Sequence, residues 1–570
     1  MIGALREDNE GFVGVRLAFY VRGDDDDVWY GVGVTYSPAT GYFFVVGPVG
    51  TELPDSKTIN VSDRLVGSAF YIRDSAKVWH DFIIELDEGG DYTWTHLSTS
   101  TSEPAVQRIL DKVRCDDGLY VADVDGAFIH KMGIRGGAWT ELARGFTVPM
   151  ETTPIPVLGP FCTVSGTGFL DPAGNALVAV GTNAGGWLCH ESAWWGGDNL
   201  AGTGSPGPVQ NEDTITAHID ASHAVGHSIV TGAQFFTDIR TASLGEDDIA
   251  AMAALGANLL RVPIHWALVA DGRAFTYLDS LLGWARTHGV YLMPDMHTAP
   301  GCANAAAFCS AAQTANLWTD PANMDYLLSL WAVLAARYAA EPQIFAWDVL
   351  NEPSPGGGVP LTDADLKSRY LEIHAAIRAV DPGHILIFEG NSHAGGSTVF
   401  NSGGAWLPAL DSNAAYSFHV YTGENSNASV ATIKGDINNW AAANIAPVVS
   451  HGVPITVGEF GYNFSNGLTA ATQVFQESSV PITSACYFPY HGISSDGTDS
   501  GTKILRNHGT SAGDSATKAK WTTLTGHIHF GTSYTQQEYD DAMSVLPFAN
   551  FHYRTAYHDT LAAYFAAPFG

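Results

Sequence analysis

The sequence has 570 residues, which is more than one typical domain, so we expect at least two domains. Hydrophobic residues make up 46% of the chain and charged residues 15%, a composition that favours a globular protein with a large core and disfavours disorder. The formal net charge of −32 disfavours binding to nucleic acid, anionic membranes and anionic polysaccharides, and favours a neutral partner.

The first eight residues, 1–8, lack the basic region and the apolar run of a secretory signal peptide. No apolar run in the chain reaches the length of a transmembrane helix. Localisation therefore stays open: extracellular if the sequence is a trimmed mature form, and otherwise cytoplasmic or part of a viral particle.

Residues 1–150 are rich in β-branched and aromatic residues with partial alternation, as in 12–21 and 28–34, and predict a separate β-rich domain. We expect a β-sandwich, with a β-trefoil or another small β fold as the alternative. A helix is predicted near 104–112. The domain either binds carbohydrate through exposed tryptophans, attaches the chain to a larger assembly, or only packs against its neighbour; the sequence does not decide between these roles.

Residues 151–174 contain many prolines and glycines and predict a linker. From residue 175 to 570, apolar strand patterns alternate with helical ones, which favours a parallel sheet. The first strand is predicted at 176–181. An eighth strand is predicted near 482–490, with 525–530 as the alternative, a long loop over 491–535 and helices over 536–570.

Two of these strands end on a carboxyl group. Residues 344–350 form a short apolar run that leads into Asn351, Glu352 and Pro353, and Pro353 ends the strand. Residues 454–460 repeat the pattern and carry Glu459 between two glycines. The two glutamates are far apart in sequence, so only a fold brings them together. Two carboxyl groups that face each other across a cleft suit the hydrolysis of a glycosidic bond.

These two motifs together resemble glycoside hydrolase family 5, the group of cellulases, mannanases and exo-1,3-glucanases that act with retention of configuration. The resemblance covers roughly residues 175–570. It implies a (β/α)8 barrel with the site at the carboxyl ends of the strands. It also implies that Glu459 is the nucleophile and Glu352 the acid/base, and that neither a metal nor a cofactor takes part.

Further residues match the family pattern. Arg261 lies in the apolar strand 258–264, where an unpaired guanidinium is costly, so we expect it either to form a structural ion pair or to orient Glu459. The resemblance implies that His297 contacts a substrate hydroxyl and that Asn351 binds the sugar 2-hydroxyl. It implies two further supporting residues beside the glutamates: His419 near Glu352 and Tyr421 on Glu459.

Two aromatic positions and one acidic position are less clear. Trp187 lies in a Gly-Gly-Trp segment and is expected either near the sugar cleft or wedged in the barrel floor. Family members usually carry a tryptophan on the eighth strand beneath the sugar, and this sequence offers Phe488, or Tyr487 or Tyr490, instead. Glu389 also ends a strand, and we expect it to contact sugar hydroxyls at the rim rather than to take part in catalysis.

A retaining mechanism implies that the carboxyl groups of Glu352 and Glu459 lie about 5–5.5 Å apart. It also leads us to expect a raised pKa for Glu352 in the free enzyme. We expect a neutral β-linked glycan as substrate, with β-glucan first and β-mannan second. The alternatives are transglycosylation by the same residues and a catalytically silent sugar-binding or structural protein on the same scaffold.

Overall fold

The computed structural model describes residues 161–190, 212–304, 315–354, 361–477, 481–492, 512–547 and 552–569. It also describes ten strands between Leu17 and Ala122, and a strand at Leu505–Arg506, as backbone. Among the helices in these parts of the chain, none is both long and apolar enough to cross a membrane.

The N-terminal strands are antiparallel wherever they pair. They form two four-stranded sheets, in the orders β1-β2-β3-β4 and β5-β8-β7-β6, and a small pair of β9 and β10. This agrees with the predicted β-rich character, while the helix predicted at 104–112 lies outside the described residues. The strands are β1 (Leu17–Arg22), β2 (Trp29–Ser37), β3 (Gly41–Val45), β4 (Glu52–Leu53), β5 (Thr58–Asn60), β6 (Ala69–Arg73), β7 (Trp79–Leu86), β8 (Asp91–Ser100), β9 (Lys112–Arg114) and β10 (Tyr120–Ala122).

Eight parallel strands close into a barrel, β14 to β21 in chain order, with β21 pairing back to β14. The predicted (β/α)8 fold is therefore confirmed. The first strand begins three residues later than predicted, since Ala176–Leu177 pairs with an upstream hairpin. The barrel strands are β14 (Ala179–Asn183), β15 (Leu259–Ile264), β16 (Tyr291–Met296), β17 (Ala346–Asp348), β18 (Ile385–Glu389), β19 (Ala414–Val420), β20 (Ile455–Phe460) and β21 (Ser484–Tyr487).

Helices surround the barrel, and one of them corrects the sequence prediction. Residues 512–530, expected to be loop or a final strand, form a helix, and the eighth strand is the one predicted near 482–490. The helices are α1 (Glu212–Ala224), α2 (Gly232–Ser243), α3 (Glu246–Ala254), α4 (Trp266–Ala270), α5 (Arg273–His288), α6 (Pro321–Tyr338), α7 (Asp363–Arg378), α8 (Leu407–Leu410), α9 (Val430–Asn444), α10 (Ala446–Val449), α11 (Ser465–Phe475), α12 (Ala512–Phe530), α13 (Gln536–Met543) and α14 (Thr555–Ala566). A small sheet also joins β22 (His491–Gly492), β23 (Leu505–Arg506) and β24 (His552–Tyr553).

The period of two along each strand separates the barrel interior from the layer beneath the helices. On β18, Leu386 and Phe388 belong to the outer core, whereas Ile385 and Ile387 belong to an inner cluster. The next inward position is Glu389, the last residue of the strand. The same alternation directs Arg261 inward from β15, and both side chains are fully buried.

A three-stranded antiparallel sheet closes the amino-terminal end of the barrel. Its strands are β11 (Thr163–Ser165), β12 (Gly168–Leu170) and β13 (Ala176–Leu177), and it occupies the second half of the predicted linker. Phe169 packs edge-on against Phe345 with 4.9 Å between ring centroids. This end of the barrel is therefore filled by apolar side chains, and the carboxyl groups of Glu389 and Glu459 lie towards the opposite end.

This apolar packing yields a prediction about stability. Replacing the buried Phe169 by alanine leaves a cavity, and we expect the free energy of unfolding to fall by about 3–5 kcal/mol. The measurement is guanidinium denaturation followed by tryptophan fluorescence. Phe530→Ala is the control, because that ring is 75% exposed and its loss should change the free energy by less than about 0.5 kcal/mol. Equal changes in the free energy of unfolding for the two substitutions would contradict the role of Phe169 in filling this end of the barrel.

Candidate active site

The fold brings Glu352 and Glu459 together at the carboxyl ends of the barrel strands. Glu459 lies near the end of β20, and Glu352 lies four residues after β17 ends. A side-chain oxygen of one glutamate lies within 4.8 Å of a side-chain oxygen of the other. The side chain of Glu352 is 15% exposed and that of Glu459 only 5%, so Glu352 is the more accessible of the two.

Arg261 holds the acidic groups in the barrel interior. Its Nη1 donates to Oε1 of Glu459 at 2.6 Å, and its Nε donates to Oδ2 of Asp348 at 2.8 Å. Its Nη2 donates to Oε1 of Glu389 at 2.9 Å and lies 3.0 Å from Oδ2 of Asp295. The carboxylates raise the pKa of Arg261 further against the effect of burial, so the guanidinium stays charged. Arg261 therefore fulfils both roles considered from the sequence: it forms structural ion pairs and it orients Glu459.

Glu389 is not a rim residue, which corrects the expectation that it contacts sugar hydroxyls. Its side chain is fully buried. One oxygen accepts from Arg261 and lies 3.1 Å from Nε2 of His419, while the other accepts from the backbone N–H of Glu352 at 2.6 Å. Burial raises the pKa of Glu389, but His419 and Arg261 outweigh burial and hold it below its ordinary value. Glu389 is thus an ionised anchor beneath the site.

The anchor matters because the backbone of Glu352 is strained. Its φ is +45°, a left-handed conformation that costs on the order of 1–3 kcal/mol for a residue with a Cβ. The backbone N–H donates to Glu389, and the backbone carbonyl accepts from the side chain of Asn304 at 3.0 Å. These two contacts fix the direction in which the carboxyl group of Glu352 leaves the strand.

Two further predicted residues contact the glutamates. Nδ1 of His419 lies 2.7 Å from Oε1 of Glu352 and 3.5 Å from Oε2 of Glu459. The hydroxyl of Tyr421 donates to Oε2 of Glu459 at 2.7 Å. The two oxygens of Glu459 are therefore held by different donors, Arg261 on one and Tyr421 on the other.

The pKa of Glu352 shifts in the direction opposite to the expectation from the sequence, while that of Glu459 is raised. Burial would raise the pKa of Glu352, but hydrogen bonds from His393 and His419 outweigh burial and hold that pKa below its ordinary value. Burial raises the pKa of Glu459, although His419 and Arg261 act against it. The predicted raised pKa of Glu352 is therefore wrong, because two imidazoles lie beside this carboxylate and the sequence indicated only that of His419.

His393 is the residue that sequence reasoning missed. Its Nδ1 lies 3.3 Å from Oε2 of Glu352, and its side chain is 51% exposed. It follows β18 in a segment whose only sequence signal is a pair of glycines, and nothing in that segment indicates that it reaches Glu352. The contact depends on a backbone conformation described below.

Asn351 and His297 lie beside the carboxylates. Oδ1 of Asn351 accepts from Nη2 of Arg261 at 2.9 Å, while its buried Nδ2 has no hydrogen-bond partner among the described residues. The NH2 group of Asn351 can therefore donate to a bound molecule. Nδ1 of His297 lies 2.7 Å from Oδ2 of Asp295, and the ring is 2% exposed. Asp295 thus fixes the orientation of this imidazole.

Trp187 does not lie at the surface of a cleft, which corrects its assignment to substrate binding. The ring is 2% exposed, packs edge-on against Tyr277, and donates from Nε1 to the carbonyl of Arg240 at 2.9 Å. It wedges between the barrel and its outer helices, at neither of the two places considered. The sequence could not show this, because a Gly-Gly-Trp segment does not reveal which side of the rim the ring faces.

Phe488 lies directly after β21 and is 3% exposed. Its ring approaches Gly185 of the loop after β14, so closely that a Cβ on that glycine would lie 2.9 Å from Cζ. Tyr487 and Tyr490 are fully buried. The eighth strand therefore offers little aromatic surface to a bound molecule.

Two sets of acidic and histidine side chains have donor atoms close enough together to hold a metal ion. One comprises Glu352, His419 and Glu459, and the other Asp295, Asp348 and Glu389, with each set's atoms within 4.8 Å of one another. The guanidinium of Arg261 already pairs with all three members of the second set and with Glu459. Burial and the charge of Glu389 also raise the pKa of Asp348 well above its ordinary value, which favours its neutral form. The second set is thus a hydrogen-bonded cluster of acidic groups around one arginine.

Comparison with known proteins shows what part of this chain is similar to. Residues 226–488 match the profile of cellulase, glycosyl hydrolase family 5. A β-xylosidase from Phanerodontia chrysosporium is 29% identical over 46% of this chain and 52% of its own length. A probable glucan 1,3-β-glucosidase A from Aspergillus fumigatus is 30% identical over 37% of this chain and 49% of its own length. The chain thus spans about half the length of these curated relatives.

Solved structures with some similarity to this chain include the rutinosidase from Aspergillus niger, with 18% identity and a TM-score of 0.44 over 55% of this chain and 90% of that one. A β-glucanase from Saccharophagus degradans has 15% identity and a TM-score of 0.39 over 58% of this chain and 85% of that one.

The role of Arg261 can be tested by its effect on stability at two pH values. Arg261→Met leaves buried carboxylates without their cation, and we expect the free energy of unfolding at pH 7 to fall by about 3–5 kcal/mol. The pKa of Glu389 is lower in the folded state than in the unfolded state. Ionised Glu389 therefore adds to the free energy of unfolding above its unfolded pKa, and this contribution is lost as the pH falls through its folded pKa. The loss caused by the substitution should therefore shrink towards pH 4.

Arg273→Met is the matched control, because the Arg273–Asp271 pair is exposed and should contribute less than about 1 kcal/mol at either pH. Denaturation curves at pH 4 and pH 7 give the comparison. An equal loss for Arg261→Met at both pH values would show that the guanidinium acts by packing and not by charge.

Proposed function

We propose that this chain, whose residues 226–488 belong to glycosyl hydrolase family 5, hydrolyses a neutral β-linked glycan with retention of configuration. Glu459 acts as the nucleophile and Glu352 as the acid/base. The observation that carries the proposal is the separation of less than 4.8 Å between side-chain oxygens of the two glutamates. Such a short separation is typical of retaining enzymes, since inverting enzymes hold their carboxyl groups roughly 6.5–9.5 Å apart.

In the first half of the reaction, an oxygen of Glu459 attacks the anomeric carbon and the bond to the leaving oxygen breaks. The leaving oxygen takes a proton from Glu352. Carboxylates raise the pKa of His419 well above its ordinary value against burial, so this imidazole holds a proton 2.7 Å from Glu352. Because the two groups lie within hydrogen-bond distance, His419 can supply that proton to Glu352 as the leaving oxygen approaches.

In the second half, Glu352 removes a proton from water while the water oxygen attacks the anomeric carbon. The bond to Glu459 breaks with its electron pair and restores the carboxylate. Arg261 and Tyr421 each bind one oxygen of this carboxylate and so stabilise it as the leaving group.

Substrate contacts are proposed for two more residues. Asn351 has a buried amide donor without a partner among the described residues, and we assign it to the sugar 2-hydroxyl. His297 is held by Asp295 and is assigned to another sugar hydroxyl. Each contact would orient the sugar ring so that its anomeric carbon lies between the two glutamates.

The substrate class follows from charge and from the names of relatives. A net charge of −32 disfavours an anionic glycan. Relatives named glucan 1,3-β-glucosidase and β-xylosidase support a neutral β-linked sugar, and we propose a β-glucan first and a β-mannan second.

Substitution of the glutamates tests the mechanism. Glu459→Gln should lower kcat by at least about 10³-fold on every substrate, because no glycosyl-enzyme forms. Glu352→Gln should lower kcat/KM strongly for polysaccharide but far less for a 2,4-dinitrophenyl glycoside, whose leaving group needs no proton. NMR of the first product should show the β-anomer. Formation of the α-anomer, or full activity of Glu459→Gln, would disprove the assignment.

A substrate panel tests the glycan. We expect the release of reducing sugar from laminarin or carboxymethyl cellulose to exceed that from galactomannan, with Glu459→Gln as the inactive control. Cleavage of galactomannan alone would select the second candidate, β-mannan. Cleavage of starch or dextran alone would overturn the β-linkage.

A further inference from the structure

The segment that follows β18 adopts an unusual backbone conformation. Three consecutive residues, Ser392, His393 and Ala394, have φ values of +58°, +53° and +55°. A left-handed backbone costs roughly 1–2 kcal/mol for each residue with a Cβ, so three in succession persist only where the surroundings enforce them. Such strain is commonly found at functional sites.

The surroundings of this left-handed turn do enforce it. The carbonyl of Ser392 accepts from the backbone N–H of Gly395 at 3.1 Å, and the carbonyl of Asn391 accepts from that of Gly396 at 2.8 Å. Ala394 is fully buried, and its carbonyl accepts from the backbone N–H of His419 at 3.1 Å. The turn is therefore attached directly to the strand that carries the histidine beside Glu352.

Close packing leaves the turn no other position. A Cβ on Gly390 would lie 1.9 Å from the carbonyl oxygen of Gly396, so the returning chain lies directly on the end of β18. The side chain of Asn391 donates to Oγ1 of Thr398 at 2.7 Å and to Oδ1 of Asp363 at 3.1 Å. The turn is thus tied to helix α7 as well as to β19.

What the turn presents is the imidazole of His393. The two oxygens of Glu352 are divided between two histidines: Oε1 lies 2.7 Å from the buried His419, and Oε2 lies 3.3 Å from the half-exposed His393. His419 also faces Glu389 and Glu459, whereas His393 makes no other ion pair among the described residues. Among the described side chains, the half-exposed ring of His393 therefore forms an ion pair only with Glu352.

We propose that His393 is a positioning residue that hydrogen-bonds Oε2 of Glu352 and favours the base form of this glutamate in the second half of the reaction. The inference rests on the proposed function and deepens it. During that half, water attacks the anomeric carbon, its proton passes to Glu352, and the bond to Glu459 breaks with its electron pair. Glu352 must be a carboxylate at the start, and the proton that it takes from water passes on to His419, which supplies it again in the next cycle.

The charges around His393 set the direction of the pH effect. Glu352 raises the pKa of His393, chiefly through the hydrogen bond, against burial and against the nearby His419. Glu389 and Glu459 lie behind His419 and pair with that ring. A proton on His393 in turn lowers the pKa of Glu352, so removing the imidazole should raise it.

The test separates the two halves of the reaction with a 2,4-dinitrophenyl 2-deoxy-2-fluoro-β-glycoside of the glucan that the wild type cleaves. Inactivation measures attack by Glu459 without help from an acid, and reactivation in buffer measures attack by water with Glu352 as the base. For His393→Ala we expect inactivation within about twofold of the wild type and reactivation about tenfold slower on the acidic limb of the pH profile. The acidic limb of the reactivation profile should move to higher pH, and the rate should recover at higher pH.

Ser392→Ala is the matched control, since this exposed residue belongs to the same turn and keeps the same backbone requirement. It should leave both rates and the pH profile unchanged. Equal slowing of inactivation and reactivation by His393→Ala at every pH would overturn the proposal and leave a merely structural role. If the wild type is not labelled on Glu459, the proposed function itself fails, which is a distinct result.

A second measurement does not need a substrate. NMR titration of the His393 ring in the wild type and in Glu352→Gln should show a lower pKa for the ring in the variant, because the carboxylate that raises it is gone. An unchanged pKa of His393 would overturn the proposed contact irrespective of the identity of the glycan.

Discussion

The whole site depends on one buried cation. Arg261 contacts Asp295, Asp348, Glu389 and Glu459, which without it would be four acidic groups crowded into the interior of the barrel. Because burial penalises each isolated charge, such a cluster is stable only with a counter-ion and full hydrogen bonding. The guanidinium supplies both, since its planar set of donors reaches several carboxylates at once. The proposed nucleophile, Glu459, is thus held in place by the fully buried guanidinium of Arg261.

Near Arg261, hydrogen bonds to buried groups offset the energetic cost of a strained backbone. Glu352 and the segment 392–394 adopt left-handed conformations that the chain alone would avoid. Glu389 binds the amide of Glu352, and the amide of His419 binds the carbonyl of Ala394, so both strained segments are attached to the same pair of neighbouring strands. The result is a carboxylate with an imidazole on each oxygen and little freedom to turn.

Much of this barrel was predictable because its signals are local. The apolar runs of the strands, the helical spacing between them and the carboxyl groups at strand ends all lie within a few residues of each other in sequence. The sequence also predicted ionic partners for Arg261, because an unpaired guanidinium in an apolar strand is costly. The failures have a shared cause: Trp187, Glu389 and His393 were misjudged or missed because their environment comes from distant segments. The ring of Trp187, for example, is covered by helices α2 and α5.

The sequence by itself indicated the strands and the two glutamates through periodicity and strand ends, and it indicated the barrel and the residues around the glutamates through resemblance to a family. Only the tertiary structure decided which charged groups lie close enough to shift each other's pKa. Ionisation depends on burial and on charges a few ångströms away, and those charges come from separate strands. It also decided the direction of the His393 side chain, because a left-handed turn of non-glycine residues is enforced by packing and not encoded by local preference.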